Sequence, residues 1–308
     1  IYRYRSRNIC NLNSIYIRIR KILHWRVGMK SVINIILKLS RVDRRWIFLI
    51  IGLSVLLPLF FPLGLPIRAT DTTQIVYNAF DSLDPNSKVL LSCEYGPSTK
   101  PEIHPMVIAV LHQLFRNNHK VYVSCLWPDG QFMADEALRK VAPLYNKTYG
   151  EDYVILGYKP GNEAVIKGMV RDLRAIFSTD VKGTKVEDIP MMTKIFKFED
   201  FDFLFSASAG FPGSIEWMQY ATDNTNVQMS TGTTSIMVND IMPFVVSKQI
   251  QGILAGMPGA AEYETLVGEP GIGTSGMDAQ SLAHLIIVLF IIFGNIGYFI
   301  ERNKRKRY

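Results

Sequence analysis

Acidic residues are nearly missing from the two ends of this chain, and charge of either sign is missing from two long stretches inside it. Residues 1–45 contain 12 Lys/Arg against one acid, Asp43, and residues 301–308 contain five against one, Glu301. Of the 34 basic and 27 acidic residues in the whole, 17 and 25 remain for the middle, so the net +7 divides into about +15 at the ends and about −8 between them. A middle of that sign offers a phosphate backbone nothing to bind, which excludes nucleic acid as the partner behind the basic balance.

Catalytic signatures are equally scarce. No G-x-x-x-x-G-K-[S/T] loop, no G-x-S-x-G and no H-E-x-x-H occurs, and no G-x-G-x-x-G follows the first strand-like segment. The one run that spells the glycine pattern, Gly271–Gly276, precedes an apolar stretch instead of joining a strand to a helix. No set of His, Cys, Asp or Glu has the close spacing of a metal site, and no cofactor is indicated.

Two uncharged stretches of 19 residues stand out, WIFLIIGLSVLLPLFFPLG over 46–64 and LAHLIIVLFIIFGNIGYFI over 282–300. Each is long enough to span the hydrocarbon core of a bilayer. Pro58 and Pro62 are expected to kink the first or end it early. The basic segments, 1–45 and 301–308, flank the outer ends of the pair, so the positive-inside rule predicts both termini in the cytoplasm of a plasma-membrane protein and residues 65–281 outside it. Cleavage after the first stretch is disfavoured, because its apolar run is too long and Ile67-Arg68-Ala69 is a poor small-x-small site. Residues 1–28 precede the first methionine, Met29, and read as sequence upstream of the native start; if native, the IYIRIRKIL run suits an anionic membrane surface.

Between the two stretches, strand-like segments begin at Lys88, Lys120 and Asp152, a constant step of 32 residues that fits a βα unit. Helical patterns fill the gaps at 101–116, 131–145 and 162–177. Further strands are expected at 201–206 and 226–230, and helices at 214–221, 239–255 and 260–266. The fold class is therefore α/β, a doubly wound, mostly parallel sheet of about five strands flanked by one transmembrane helix at each end. Residues 178–199 break the rhythm and read as a flap beside the sheet, and the glycine-rich 268–276 as a linker to the second membrane helix.

Ligands of open parallel sheets bind at the carboxyl ends of the strands. Glycines and hydroxyls recur in the five loops there, and they suggest a pocket lined by Glu94, Tyr95, Asp129, Lys159, Ser208 and Thr233 for a polar or anionic ligand. The same residue types also make turns and cap helices, which is the competing reading. Cys93 and Cys125 occupy equivalent places in two 32-residue units, as buried free thiols or as a disulfide. Cys93, Glu94 and His104 are the weak candidates for a nucleophile, its acid and its base. Asn146-Lys147-Thr148 fits a glycosylation acceptor.

In the second membrane stretch His284, Gly294, Asn295 and Gly297 are the residues expected to face another helix, either the first helix or a separate membrane subunit. The partners expected are thus the lipid bilayer and other membrane subunits or a second copy. The function expected is a membrane-anchored envelope protein whose outer domain binds a ligand or protein partner without catalysis. The alternative is a tethered hydrolase or transferase working at the strand ends.

Overall fold

The computed structural model describes residues 43–305. The expected basic segment 1–45 lies outside the described residues up to residue 42, with the question of 1–28, as do the last three residues of the C-terminal tail. Residues 58–278 form one compact unit, and the remaining described residues belong to a second.

Helix α1 (Arg44–Phe60) stops two residues short of Pro62, where the ring disfavours helical backbone in the residue before it. The compact unit then runs through α2 (Asp71–Asp81), β1 (Lys88–Glu94), α3 (Lys100–Arg116), β2 (Lys120–Cys125), α4 (Pro128–Val141), β3 (Tyr153–Tyr158), α5 (Glu163–Arg171), α6 (Leu173–Ile176), β4 (Phe203–Ser208), α7 (Ser214–Tyr220), β5 (Gln228–Thr233), α8 (Val238–Val246), β6 (Ile253–Ala255) and α9 (Gly256–Val267). All six strands are parallel, in the order β3-β2-β1-β4-β5-β6. The chain winds outward in both directions from β1 and β4, so the topological switch point lies between those two strands.

Strand residues alternate between two cores. Val89, Leu91, Cys93, Val121, Val123, Phe203 and Phe205 face α2, α3, α4 and α9. Leu90, Tyr122, Val154, Leu204 and Met229 face α5, α7 and the 186–201 segment. Continuous apolar runs such as Val89-Leu90-Leu91 are what a sheet covered on both faces requires. The segment 178–199 is no loose flap: Val186, Ile189, Met192, Ile195 and Phe198 are buried in the second core.

The fold departs from expectation in four places. A sixth strand, β6, lies inside the span expected as one helix over 239–255. That helix ends at Val246, and Lys248 takes a left-handed φ of 66° that breaks the helical path. Gly252 then passes so close to α2 that a Cβ there would lie 2.7 Å from the Thr72 carbonyl oxygen. The helix expected over 162–177 is broken at Asp172, whose carboxylate caps α6 by accepting from the amides of Arg174 and Ala175. An unexpected helix, α2, precedes the first strand.

The fourth departure is the supposed linker. Helix α10 runs unbroken from Ile272 to Arg305 and takes in most of the glycine-rich segment. Two buried carboxylates organise its start. Glu264 accepts from the amides of Gly271, Gly273 and Thr274 and from the Thr274 hydroxyl, at 2.7–3.0 Å. These are the orphan N–H groups of a helix N-terminus, and an anion there satisfies them. Asp278, one turn on, accepts from the amides of Leu63, Gly64 and Leu65 at 2.8, 2.9 and 3.2 Å. Nearby in sequence, Glu262 accepts from Thr70 and Thr73. These three acids clasp the segment that enters the compact unit to the helix that leaves it. Within Ile272–Ile300, an 18-residue window of α10 has a mean hydropathy of 2.2 and is almost wholly unburied, so the helix is long and apolar enough to cross a membrane.

Candidate functional site

At the switch point the second face of the sheet changes character. Its amino half is apolar, while its carboxyl half is a field of hydroxyls. Ser124, Ser92, Ser206 and Thr231 stand side by side across β2, β1, β4 and β5, and Glu94, Ser208 and Thr233 form the next row on β1, β4 and β5. Every one of them is buried.

The carboxyl of Glu94 is the centre of this field. The Ser92 hydroxyl donates to one of its oxygens, and the Ser206 hydroxyl approaches the other at 3.4 Å. From Ser206 the contacts continue to Ser214 at 3.0 Å, from Ser214 to Thr231 at 2.6 Å, and from the Thr231 hydroxyl to the Ser206 carbonyl at 2.8 Å. Because Thr231 donates to that carbonyl, its oxygen accepts from Ser214, which orients the relay. Burial pushes Glu94 from 4.5 up to about 8, against the opposing pull of Ser92, Trp217, the Leu126 amide and Ser206. Glu94 is therefore a neutral acid at pH 7, able to donate as well as accept. The indole N–H of Trp217 and the hydroxyl of Ser124 are buried without a well-formed acceptor or donor, which is unusual for buried polar groups.

One side chain spans the crevice above. Trp127, from the loop after β2, reaches across to donate its indole N–H to the Pro212 carbonyl at 3.1 Å, and its ring lies against Gly210. Ser208 donates to the Gly210 carbonyl and Thr233 to the Ser208 carbonyl, both at 3.0 Å, so these two hydroxyls hold the backbone of the strand ends.

Of the six residues expected to line one pocket, Glu94, Ser208 and Thr233 stand in one row on the second face, and Tyr95, Asp129 and Lys159 lie elsewhere. Glu94 points into the second core, whereas its neighbour Tyr95 packs in the first. Asp129 is exposed beside Gly96, and Lys159 places its ammonium over the Phe177 ring at 5.7 Å. For Tyr95 strand alternation is the reason: consecutive residues go to opposite faces.

The Cys93, Glu94 and His104 set is divided by the same rule. Cys93 and Cys125 are free and buried on the first face, and burial pushes both thiols well above their ordinary value. His104 spends Nδ1 on the Tyr95 hydroxyl at 2.9 Å and turns Nε2 towards Glu136 at 3.7 Å, while Lys100 holds Glu136 at 2.6 Å. Burial lowers His104 from 6.5 to about 4, outweighing Glu136, with Lys100 and Lys140 adding to the drop. That leaves a neutral imidazole engaged elsewhere and no thiolate for it to activate. Gly130 further seals Cys93, since a Cβ on it would sit 1.9 Å from the Cys93 carbonyl oxygen.

Sequence reading passed over Ser214 and Trp217, and counted Ser92, Ser124, Ser206 and Thr231 among the hydroxyls of the strand-end loops without choosing them as lining residues. A hydroxyl on the same alternation as Glu94, repeated at the 32-residue step, was the available clue. Among the described residues no three His, Cys, Asp or Glu side chains are grouped to hold a metal ion. On α10, His284 and Asn295 are exposed, Gly294 has nothing within 4 Å of a built Cβ, and Gly297 is buried. The chain matches no protein-family model, no curated protein and no solved structure.

Proposed function

We propose that this chain is a membrane-anchored envelope protein. In this reading the stretches 46–64 and 282–300 both cross the plasma membrane, both termini lie in the cytoplasm, and the domain over 65–281 is held outside. There it binds a ligand or protein partner as a non-catalytic subunit of a membrane assembly, with other membrane subunits or a second copy against His284, Gly294, Asn295 and Gly297.

The observation that carries the reading is the clasp between Asp278 and the amides of Leu63, Gly64 and Leu65. It ties residues 63–65, the end of the first apolar stretch, to Asp278, four residues before the second, within one compact unit, an arrangement that suits a protein anchored from one side. The basic flanks set the orientation. The dispersal of Cys93, Glu94 and His104 supports binding over catalysis. The test is thiol labelling of intact cells with a membrane-impermeant maleimide in a Cys10→Ser background. Glu187→Cys, on the exposed surface of the domain, is expected to label, and Arg302→Cys to label only after lysis. The reverse pattern overturns the topology.

A second reading, a tethered hydrolase or transferase acting on a polar or anionic substrate, has one specific observation in its favour, the neutral Glu94 joined to a relay of hydroxyls. If Glu94→Gln keeps the fold and the cellular phenotype alike, that reading fails.

A further inference from the structure

A cavity of about 380 Å³ lies away from the switch point, along the outer edge of the sheet between α4, β3 and the 178–185 segment. That volume is at the lower end of the roughly 300–1,000 Å³ typical of small-molecule sites. Leu138 and Ile155 form its apolar floor, and the rings of Phe132, Tyr149 and Tyr153 stand around it. Phe132 is 66% exposed, a large apolar side chain on a helix with nothing packed over it.

The walls are shaped by specific local devices. The pairing of β2 with β3 slips after Val123, so that Ser124 meets Gly157 and Leu156 is the extra residue of a bulge. Gly157 sits at φ 92°, and a Cβ there would lie 2.7 Å from Val181 and 3.0 Å from the Gln131 side-chain oxygen, both residues of the cavity wall. Gln131 in turn accepts from the Tyr158 amide at 3.1 Å. On the far side Asp180, itself buried, fixes the Tyr149 ring by accepting from its hydroxyl at 2.7 Å, and turns the chain by accepting from the amides of Lys182 and Thr184.

The charges at the rim are not balanced group by group. Asp135 pairs with Arg139 at 2.8 Å, and Asp180 is satisfied by three donors. Lys182 has no carboxylate partner among the described residues, and its ammonium rests 3.4 Å from the centre of the Tyr149 ring. A cation parked on an aromatic face at the mouth of an apolar cavity is placed to meet an anion. We infer that this cavity is a binding site for a small monoanionic ligand with an aromatic or short aliphatic body, the body lying between Tyr149, Tyr153 and Phe132 and the anion meeting Lys182. The site is separate from the strand-end crevice and does not depend on the membrane reading.

The test is fluorine NMR of the full chain in nanodiscs, with para-fluorophenylbutyrate as probe and para-fluorophenylbutylamine as its matched cation. The carboxylate is expected to bind saturably and about ten-fold more tightly than the amine, as one charge-assisted contact implies. Lys182→Glu, an exposed change, is expected to reverse that preference. Val181→Trp, which fills the mouth, is expected to weaken the carboxylate by roughly ten-fold or more. Absence of saturable binding to the wild-type chain overturns the inference. So does equal uptake of both probes by wild type and Lys182→Glu, which marks an adventitious additive only.

Discussion

At the end of β1 three consecutive residues separate onto two faces of the sheet, and the two faces treat polar groups differently. On the first face Cys93 and Tyr95 join an apolar core, and the polar atoms there are held one to one, as in Tyr95 with His104. On the second, Glu94 enters a shared field in which Ser92, Ser206, Ser214 and Thr231 pass hydrogen bonds along a line. The difference teaches how a buried ionisable group is made tolerable. His104 and Glu94 both stay neutral at pH 7, the first because burial opposes gaining a proton and the second because burial opposes losing one.

The largest expected effect comes from removing the packing over the second face. Trp217 is fully buried and stacks on Phe198 with centroids 5.8 Å apart. Trp217→Ala is expected to cost about 3–5 kcal/mol in denaturant unfolding, the usual range for deleting a buried aromatic. A loss below about 1 kcal/mol would show that the hydroxyl field holds α7 without it.

Next comes the pH response of Glu94. Its folded value is about 8 against an ordinary 4.5, so over that interval the unfolded chain has released a proton that the native protein keeps. The stability contributed by the neutral acid is complete below the lower value and lost as pH rises to the upper one. Wild type is therefore expected to lose more than about 1 kcal/mol relative to Glu94→Gln between pH 5 and 8. Parallel pH profiles of the two proteins would remove Glu94 from the account.

His104 should give the opposite slope on the other face. Its folded value is about 4 against 6.5, so stability present above the ordinary value is lost as pH falls through that interval. His104→Gln is expected to flatten this acid limb by about 1–2 kcal/mol. An unchanged limb would mean that the imidazole is more solvated than its 3% exposure implies. The smallest effect is chemical: neither Cys93 nor Cys125 should react with a maleimide in the native protein at neutral pH, since both thiols are buried and their acidity is suppressed. Rapid labelling of either would show that the first face opens.

Much of the fold could be read directly. The 32-residue step placed β1 and β2 at Lys88 and Lys120, which prove to be register partners, because a buried parallel strand must be apolar on both faces and a covering helix needs a set length. The short strand β6 could not be told from helix, since Ile253-Leu254-Ala255 has no periodicity of its own. The same limit applied to Gly271–Gly276, of which residues 272–276 form the first turn of α10, with Glu264 standing where the free amides point.

By itself, then, the sequence determined the class of the domain, the parallel winding and the presence of an apolar helix at its C-terminal end, since each follows from local hydrophobic pattern and length. Tertiary structure alone decided which polar residues meet. Glu94 was visible as a residue, but its hydroxyl partners come from β1 and β4 and theirs in turn from α7 and β5, and Asp278 meets amides more than 200 positions away. Such contacts depend on register, on the face each strand residue takes and on where two distant segments close together. None of these is carried by any local stretch of chain.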